Sequence, residues 1–300
     1  MTEASSTASH LSVAVTTEEA HANGTQATNG TGTTSSSVDF EYYFKWAAVF
    51  IGVVGMAGNA LILYALVASK QHKKHILIFN QNVLDLLSSF FLVVSYGVSL
   101  CDVYLTGAAG HYLCVTILGE TLIWWATNCS VVNLVAITID RYLNVVHPIW
   151  IRKRKRQWMT YSAVALSWLV GIIYNIPLAF LTNGVGDGVC YSYVFFDSQV
   201  GRKANGIFYV TFFYFVMLTI FIYCYGHILV AIRRQASVMT GHSGTAGKSS
   251  TQQTQSKKIK TNIIKTMVLV CAFYAVTRLP TNIYVIVLVV DPDVTRLIQT

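Results

Sequence analysis

The chain has 300 residues, of which 54% are hydrophobic and 11% are charged. A water-soluble domain carries about 25% charged residues, so this composition excludes a soluble globular protein. The net charge of +8 does not indicate nucleic-acid binding, because the basic residues stand in short clusters between long uncharged stretches. With a mean hydropathy of +0.51, the composition predicts an integral protein of the lipid bilayer.

The first 41 residues differ in composition from the rest of the chain. They are rich in Ser and Thr and contain neither Lys nor Arg. Such a segment buries too little apolar surface to offset its ordering entropy, so we expect 1–41 to be a disordered tail. The tail holds two acceptor sequons for N-glycosylation, at Asn23 and Asn29, which matter only if the tail is extracellular.

Six long apolar segments follow, each near the roughly 20 residues that a membrane-spanning helix needs. They cover approximately 44–69, 76–101, 111–145, 158–181, 206–232 and 262–290. Residues 294–300 have the pattern of the first turns of a seventh helix. We therefore predict an all-α membrane protein over 42–300, a seven-helix bundle whose seventh helix is only begun, and we expect the sequence to be C-terminally incomplete.

The distribution of basic residues predicts the orientation of the chain. With the tail placed outside, most of the 21 basic residues lie in inner loops or at inner helix ends, including the cluster 152–156. The positive-inside rule then places the N-terminus outside a multi-pass protein of the plasma membrane. The cluster 152–156 needs no role beyond topology and contact with anionic lipid.

Ionisable groups in the bilayer cost at least a few kcal/mol and so require a reason. Asp85 stands in the middle of the second segment, and Asn59 and Ser130 lie on nearby helices. A carboxylate with hydroxyl and amide oxygens around it is suited to a hard cation such as Na⁺, or to a proton. The competing interpretation is a satisfied hydrogen bond between packed helices.

Several motifs occur in one order along the chain. They are Gly58-Asn59, Leu84-Asp85, Asp140-Arg141-Tyr142, Trp168, Tyr225 and Leu279-Pro280. With them, the chain resembles a rhodopsin-like (class A) G-protein-coupled receptor over about 44–300. Within that family it is most similar to invertebrate orphan receptors of the peptide-receptor-related branch.

The resemblance assigns roles to two groups of residues. It implies an activation switch for a heterotrimeric G protein, formed by Asp140, Arg141, Tyr142 and Tyr225. In that switch Asp140 holds Arg141 at rest, and Tyr225 swings in to support the open form. The resemblance also implies a sodium-sensitive centre, formed by Asn59, Asp85 and Ser130.

A disulfide is implied as well, between Cys114 at the outer start of the third helix and Cys190 in the second outer loop. Cys101 is the alternative partner, because it also lies in the oxidising outer compartment. Cys114 is about two residues farther from Arg141 than in typical members of the family. We therefore expect the start of the third helix to be shifted.

The ligand pocket is expected in the outer halves of the third, fifth and sixth helices and the second outer loop. Its candidate residues are Glu120, Ile123, Trp124, Thr127, Arg278 and Asn282. Glu120 is a candidate anchor for a cationic ligand or peptide, whereas Trp124 has an equally simple interpretation as packing bulk. Amine receptors of the family have Asp where Ile123 stands, so a typical biogenic amine is not expected.

Three positions depart from the family pattern. Arg278 replaces the usual Trp of the sixth helix, and its guanidinium needs water or a partner, for which Glu120 is the candidate. Met217 replaces the usual Pro of the fifth helix, so we expect that helix to lack its bulge. Lys260 replaces an acid that locks Arg141 in some members, which predicts raised basal activity.

The sequence therefore predicts a receptor that passes binding of an extracellular peptide or small molecule to a heterotrimeric G protein. We expect no enzymatic activity and no cofactor other than the sodium ion, because the sequence has no P-loop, nucleophile motif or His/Cys/Glu cluster. A light-sensing opsin is one alternative and would need a Lys in the seventh helix. A transporter or channel is another and would show inverted repeats or broken mid-membrane helices; we find neither.

Overall fold

The computed structural model describes residues 32–101, 103–154, 157–192, 198–241, 269, 272–283 and 285–287. The predicted glycosylation residues Asn23 and Asn29, the residue Lys260, and the predicted start of a seventh helix at 294–300 lie outside these residues.

The described residues form α-helices joined by short connections. In chain order these are α1 (Gly32–Ala68), α2 (Ile76–Ser99), α3 (Gly107–Leu113), α4 (Thr121–Val146), α5 (Pro148–Arg154), α6 (Gln157–Thr182), α7 (Gln199–Val210) and α8 (Met217–Gly241). Two π-helical turns, Cys114–Leu118 and Thr211–Val216, precede α4 and α8. Strands β1 (Gly184–Gly186) and β2 (Val189–Tyr191) form an antiparallel hairpin.

Five stretches of the described chain are long and apolar enough to cross a membrane. They are Phe40–Ala68, Ile76–Ser99, Gly107–Val146, Gln157–Thr182 and Val200–Arg234, here called the first to fifth spans. They coincide with the first five predicted segments, which confirms an all-α, multi-pass architecture. Of the sixth predicted segment the structure describes 272–283 and 285–287, and these residues are helical.

The chain divides into two units, 1–41 and 42–300. The expectation of a disordered tail over all of 1–41 is corrected for its last ten residues, because α1 begins at Gly32. Helix formation is cooperative, so adding residues to an existing helix avoids the cost of nucleation. Amino-acid composition alone does not predict that a helix extends into neighbouring residues in this way.

The third span has the central place among the packed helices of the second unit. Its helix α4 packs against α2, α6 and α8. In lipid, helix association depends on close packing and interhelical hydrogen bonds, so small residues are favoured at contacts. Gly171 of α6 is such a residue, because a Cβ atom there would lie 2.1 Å from Cys129 Sγ of α4.

The third span is not one continuous α-helix. The π-helical turn Cys114–Leu118 is followed by Gly119 and by Glu120, whose φ of 56° is left-handed. A π-helical turn holds more residues than an α-helical one, so it can take up additional residues between Cys114 and Arg141. The shift of the helix start relative to the family stays a prediction.

The prediction that Met217 removes the bulge of the fifth span is wrong. Residues Thr211–Val216 form a π-helical turn directly before Met217. Such a turn does not require proline if its backbone groups find partners. Here the Tyr274 hydroxyl donates to the Phe213 carbonyl, and the Met217 N–H donates to the Tyr214 carbonyl.

Candidate functional site

Asp85 lies within α2 and meets α4 through hydrogen bonds. Ser130 Oγ donates to Asp85 Oδ1 at 2.7 Å. Gln81 Nε2 donates to both Asp85 carboxylate oxygens at 3.2 Å and also to Ser130 Oγ. Asn59, the third residue predicted for this centre, donates to the Gly55 carbonyl of its own helix at 2.9 Å, and its part in the centre stays a prediction.

Hydrogen bonds continue from Gln81 across three helices. Asn133 Nδ2 donates to Gln81 Oε1 at 2.8 Å and to the Leu77 carbonyl at 3.0 Å. Asn80 Nδ2 donates to Asn133 Oδ1 at 3.0 Å, and Trp168 Nε1 donates to Asn80 Oδ1 at 2.9 Å. We call these side chains, together with Asp85 and Ser130, the polar network; it joins α2, α4 and α6.

Membership of this network was not predicted from the sequence for Asn80, Gln81 and Asn133. The signal was available, since amides in an apolar span need partners just as Asp85 does. Gln81 also precedes Asp85 by four residues, a spacing at which helical side chains meet. The cross-helix pairing with Asn133 depends on how the helices are rotated, which a single sequence does not give.

Among the described residues, the oxygens of Asp85 and Ser130 are the best candidates for coordinating a sodium ion. A hard cation is surrounded by oxygen ligands, at about 2.3–2.6 Å in calcium sites. Here an amide nitrogen of Gln81 is bonded to the same three oxygens, so the arrangement does not fit a cation. The described residues contain no group of three or more His, Cys, Asp or Glu that could hold a metal ion.

Glu120 occupies the break in the third span, at the outer end of the bundle. The Tyr96 hydroxyl of α2 donates to Glu120 Oε1 at 2.6 Å, and the Tyr96 ring lies edge-on to Phe44. Within the described chain, Glu120 Oε2 has no hydrogen-bond partner. A non-glycine residue in left-handed geometry costs about 1–3 kcal/mol and is concentrated at functional sites, so this strained acid is a candidate binding group.

The other pocket candidates of the third span lie on α4. The Trp124 ring is edge-on to Tyr209 of α7, with 6.0 Å between centroids, and Thr127 Oγ1 is 3.1 Å from Ser88 Oγ. Ile123 is half-buried. The indole N–H of Trp124 is buried without a hydrogen-bond partner in the described structure. Native proteins leave few such groups, so this donor is open to a ligand group or water.

Arg278 and Asn282 stand one turn apart on the helical segment 272–283. Asn282 Nδ2 donates to the Arg278 carbonyl at 2.6 Å, while its Oδ1 is buried with no partner among the described residues. Glu120 accepts a hydrogen bond from Tyr96, and its suggested pairing with Arg278 stays a prediction.

A disulfide holds the second outer loop against the third span. Cys114 is bonded to Cys190 of β2, which confirms the expected pairing, and Cys101 is free and exposed. The strands of the hairpin are connected by Asp187 and Gly188, with φ of 51° and 78°. Positive φ at both central residues is the geometry of a type I′ turn, which matches the twist of the strands.

The C-terminal end of α4 borders a cavity of about 460 Å³. Its lining comes from α4, from residues at the start of α2 and from the start of α6, and includes Lys73, Lys74, Ile137, Asp140, Arg141, Asn144, Gln157 and Thr160. Asn144 Nδ2 donates to Asp140 Oδ2 at 3.0 Å. Arg141 is half-buried at this wall.

Tyr225 of α8 reaches the same end of the bundle. Its hydroxyl lies 2.9 Å from Thr138 Oγ1 of α4, one helical turn before Arg141. The Tyr142 ring contacts Tyr223 of α8, with 6.1 Å between centroids. The four residues predicted for the activation switch therefore lie near the C-terminal end of α4 and on the part of α8 packed beside it, and their role as a switch stays a prediction.

Comparisons with known proteins agree with this arrangement. The family model described as 7 transmembrane receptor (rhodopsin family) matches residues 58–300. Melanopsin-B of Gadus morhua is 26% identical over 78% of this chain, and melanopsin of Felis catus is 25% identical over 81%. The chain spans 38% and 50% of the lengths of these two relatives. The substance-K receptor of Mus musculus is 24% identical over 89% of the chain and 68% of its own length.

Proposed function

Because this chain belongs to the rhodopsin family of seven-transmembrane receptors, we propose that it passes the binding of an extracellular ligand to a heterotrimeric G protein. The N-terminus lies outside the plasma membrane and the basic loops lie inside, in accord with the positive-inside rule. No catalytic step is required. Ligand binding shifts the equilibrium between two packings of the bundle, with a coupling free energy of typically about 1–3 kcal/mol.

The observation that carries this proposal is the hydrogen bond between Tyr225 of α8 and Thr138 of α4, one turn from Arg141. A switch needs side chains that exchange partners between two packings. In the active packing Tyr225 would exchange Thr138 for Arg141, and the G protein would bind against this arginine.

Nucleotide exchange on a panel of purified G proteins tests the proposal without a known ligand. The full-length receptor in lipid nanodiscs should accelerate exchange above empty discs, and Arg141→Ala should return it to that level. Arg202→Ala, on the outer side, serves as the control and should equal the parent. Lys260→Glu should lower basal exchange, because the new acid locks Arg141. Unchanged exchange in Arg141→Ala would contradict the coupling role.

We further infer that the ligand carries a positive group that binds Glu120. Its carboxylate is held by one phenol on one oxygen, which leaves the second oxygen for an ammonium or guanidinium group. A relative named substance-K receptor favours a peptide over a small amine. Ile123 stands where amine receptors have their pairing acid, in agreement with this choice.

Short peptides with one Arg or Lys, each paired with its Gln analogue, are suitable probes in the exchange assay. Basic peptides should stimulate the parent more strongly than their neutral analogues. Glu120→Gln should weaken the response to the active basic peptides about tenfold or more, as expected for loss of a charge-assisted contact. Glu41→Gln, the same change at an exposed acid, is the matched control. A response of Glu120→Gln equal to that of the parent would remove Glu120 from ligand binding.

Light sensing is the second candidate, because melanopsins are among the relatives. An opsin binds its chromophore through a lysine of the seventh helix, which lies outside the described residues. Regenerating the full-length protein with 11-cis-retinal and recording its absorption distinguishes the two. A visible band that survives washing favours an opsin, whereas unbound retinal favours a receptor for a diffusible ligand.

A further inference from the structure

The amide of Gln81 occupies the position at Asp85 where a cation would be expected. Its Nε2 donates to Asp85 Oδ1 and Oδ2, each at 3.2 Å, and to Ser130 Oγ. Ser130 Oγ in turn donates to Asp85 Oδ1 at 2.7 Å. The oxygens that would coordinate a metal ion are therefore already bonded to one protein nitrogen.

The orientation of this amide follows from its other neighbours. Gln81 Oε1 accepts from Asn133 Nδ2 at 2.8 Å, and Asn133 Oδ1 accepts from Asn80 Nδ2 at 3.0 Å. Turning the Gln81 amide over would set oxygen against the carboxylate of Asp85 and nitrogen against the nitrogen of Asn133. Both contacts would be repulsive, so the polar network directs the NH₂ group of Gln81 at Asp85.

We propose that Gln81 replaces a metal ion as the partner of Asp85, so that the bundle is insensitive to sodium. The positive ends of the Gln81 N–H bonds face the carboxylate, and Ser130 joins it to α4. Asp85 thereby has a protein partner in place of an exchangeable ion. This proposal is independent of the identity of the ligand and of the G protein.

Thermal unfolding of the full-length protein in nanodiscs, in sodium chloride or in choline chloride at equal ionic strength, tests the proposal. The parent should melt at the same temperature in both salts. A bound ligand stabilises the folded state by mass action, so sodium binding would appear as a rise of about 2–4 °C for each kcal/mol. Such a rise in the parent would overturn the proposal.

Variants test the role of Gln81. Gln81→Leu frees the carboxylate of Asp85 from the amide, and this variant should gain stability in sodium chloride. Adding Asp85→Asn should abolish the gain, which separates ion binding from a general salt effect. A folded Gln81→Leu variant without a sodium response would show that Gln81 does not exclude the ion.

If the variants fail to fold, sodium-23 NMR relaxation measured on the parent tests sodium binding directly. The parent should broaden the sodium signal no more than its own Asp85→Asn variant does. Excess broadening by the parent that is lost in Asp85→Asn would demonstrate a bound ion and refute the proposal.

Discussion

Two tryptophans show how differently the bundle treats its buried polar groups at two depths. In the polar network, the Trp168 N–H donates to Asn80, and none of the network's side-chain atoms is buried without a partner in the described structure. Farther out, the Trp124 N–H is buried and unpaired among the same residues. Within the described residues the polar network is complete in itself, whereas Trp124 has unmet hydrogen-bonding capacity. Complete pairing suits a structural centre, whereas unpaired polar groups suit a region that binds a ligand.

The largest loss of stability is expected from replacing Asn133, the amide of the polar network that is hydrogen-bonded to three residues of α2. Asn133→Ala removes the partners of Asn80, Gln81 and the Leu77 carbonyl at once. Buried polar groups left unpaired cost about 1–3 kcal/mol each, so we expect a loss of about 2–4 kcal/mol. Thermal unfolding in detergent, followed by a thiol-reactive dye, measures it.

The control for this change is Asn82→Ala. Asn82 is also a buried amide, but it donates to the Ile78 carbonyl of its own helix at 2.8 Å. Removing this amide leaves no described group on another helix without a partner, so the loss of unfolding free energy should be less than about 1 kcal/mol. Equal losses for the two variants would show that the network adds nothing beyond a local hydrogen bond.

The next largest loss of stability is expected at the close contact between α6 and α4. Gly171→Ala places a Cβ atom 2.1 Å from Cys129 Sγ, and overpacking of this kind costs about 1–3 kcal/mol. Gly226→Ala is the control, because a Cβ there meets nothing within 4 Å. The loss should be partly recovered when Cys129→Ala is added. The melting temperatures of all three variants check this expectation.

The two tryptophans provide a direct test of the comparison itself. Trp168→Phe leaves Asn80 Oδ1 without its donor, whereas Trp124→Phe removes a donor that has no partner. Both changes lose similar ring volume, so their difference in unfolding free energy isolates the hydrogen bond, at about 1–2 kcal/mol. Equal destabilisation would mean that the outer N–H is as well satisfied as the inner one.

The smallest effect is expected at the outer end. Tyr96→Phe removes the hydroxyl that donates to Glu120 Oε1, and we expect a loss of about 1 kcal/mol or less, since Glu120 is only half-buried. Tyr161→Phe, on an exposed tyrosine, is the control for the substitution. Melting curves of both variants measure the difference. A loss well above that of Asn133→Ala would reverse the order of the two regions.

The five membrane spans of the described residues and the disulfide partners were predictable, because apolar length and family motifs are local properties of the sequence. The partners of individual polar side chains were not. Asp85 was identified by its charge, but its contact with Gln81 and the link to Asn133 depend on helix rotation and depth. The bulge before Met217 was mispredicted because its stabilising hydroxyl, on Tyr274, comes from another helix.

The hairpin of the second outer loop has a consequence for how the protein matures. Two strands closed by only two residues form in about 1–10 μs, while thiols pair over seconds to hours. Cys190 is therefore already fixed opposite Val185 before oxidation begins. We expect Cys114 then to meet a prearranged thiol in preference to Cys101. Slowing closure of the Asp187-Gly188 turn should therefore increase the fraction of mispaired disulfides.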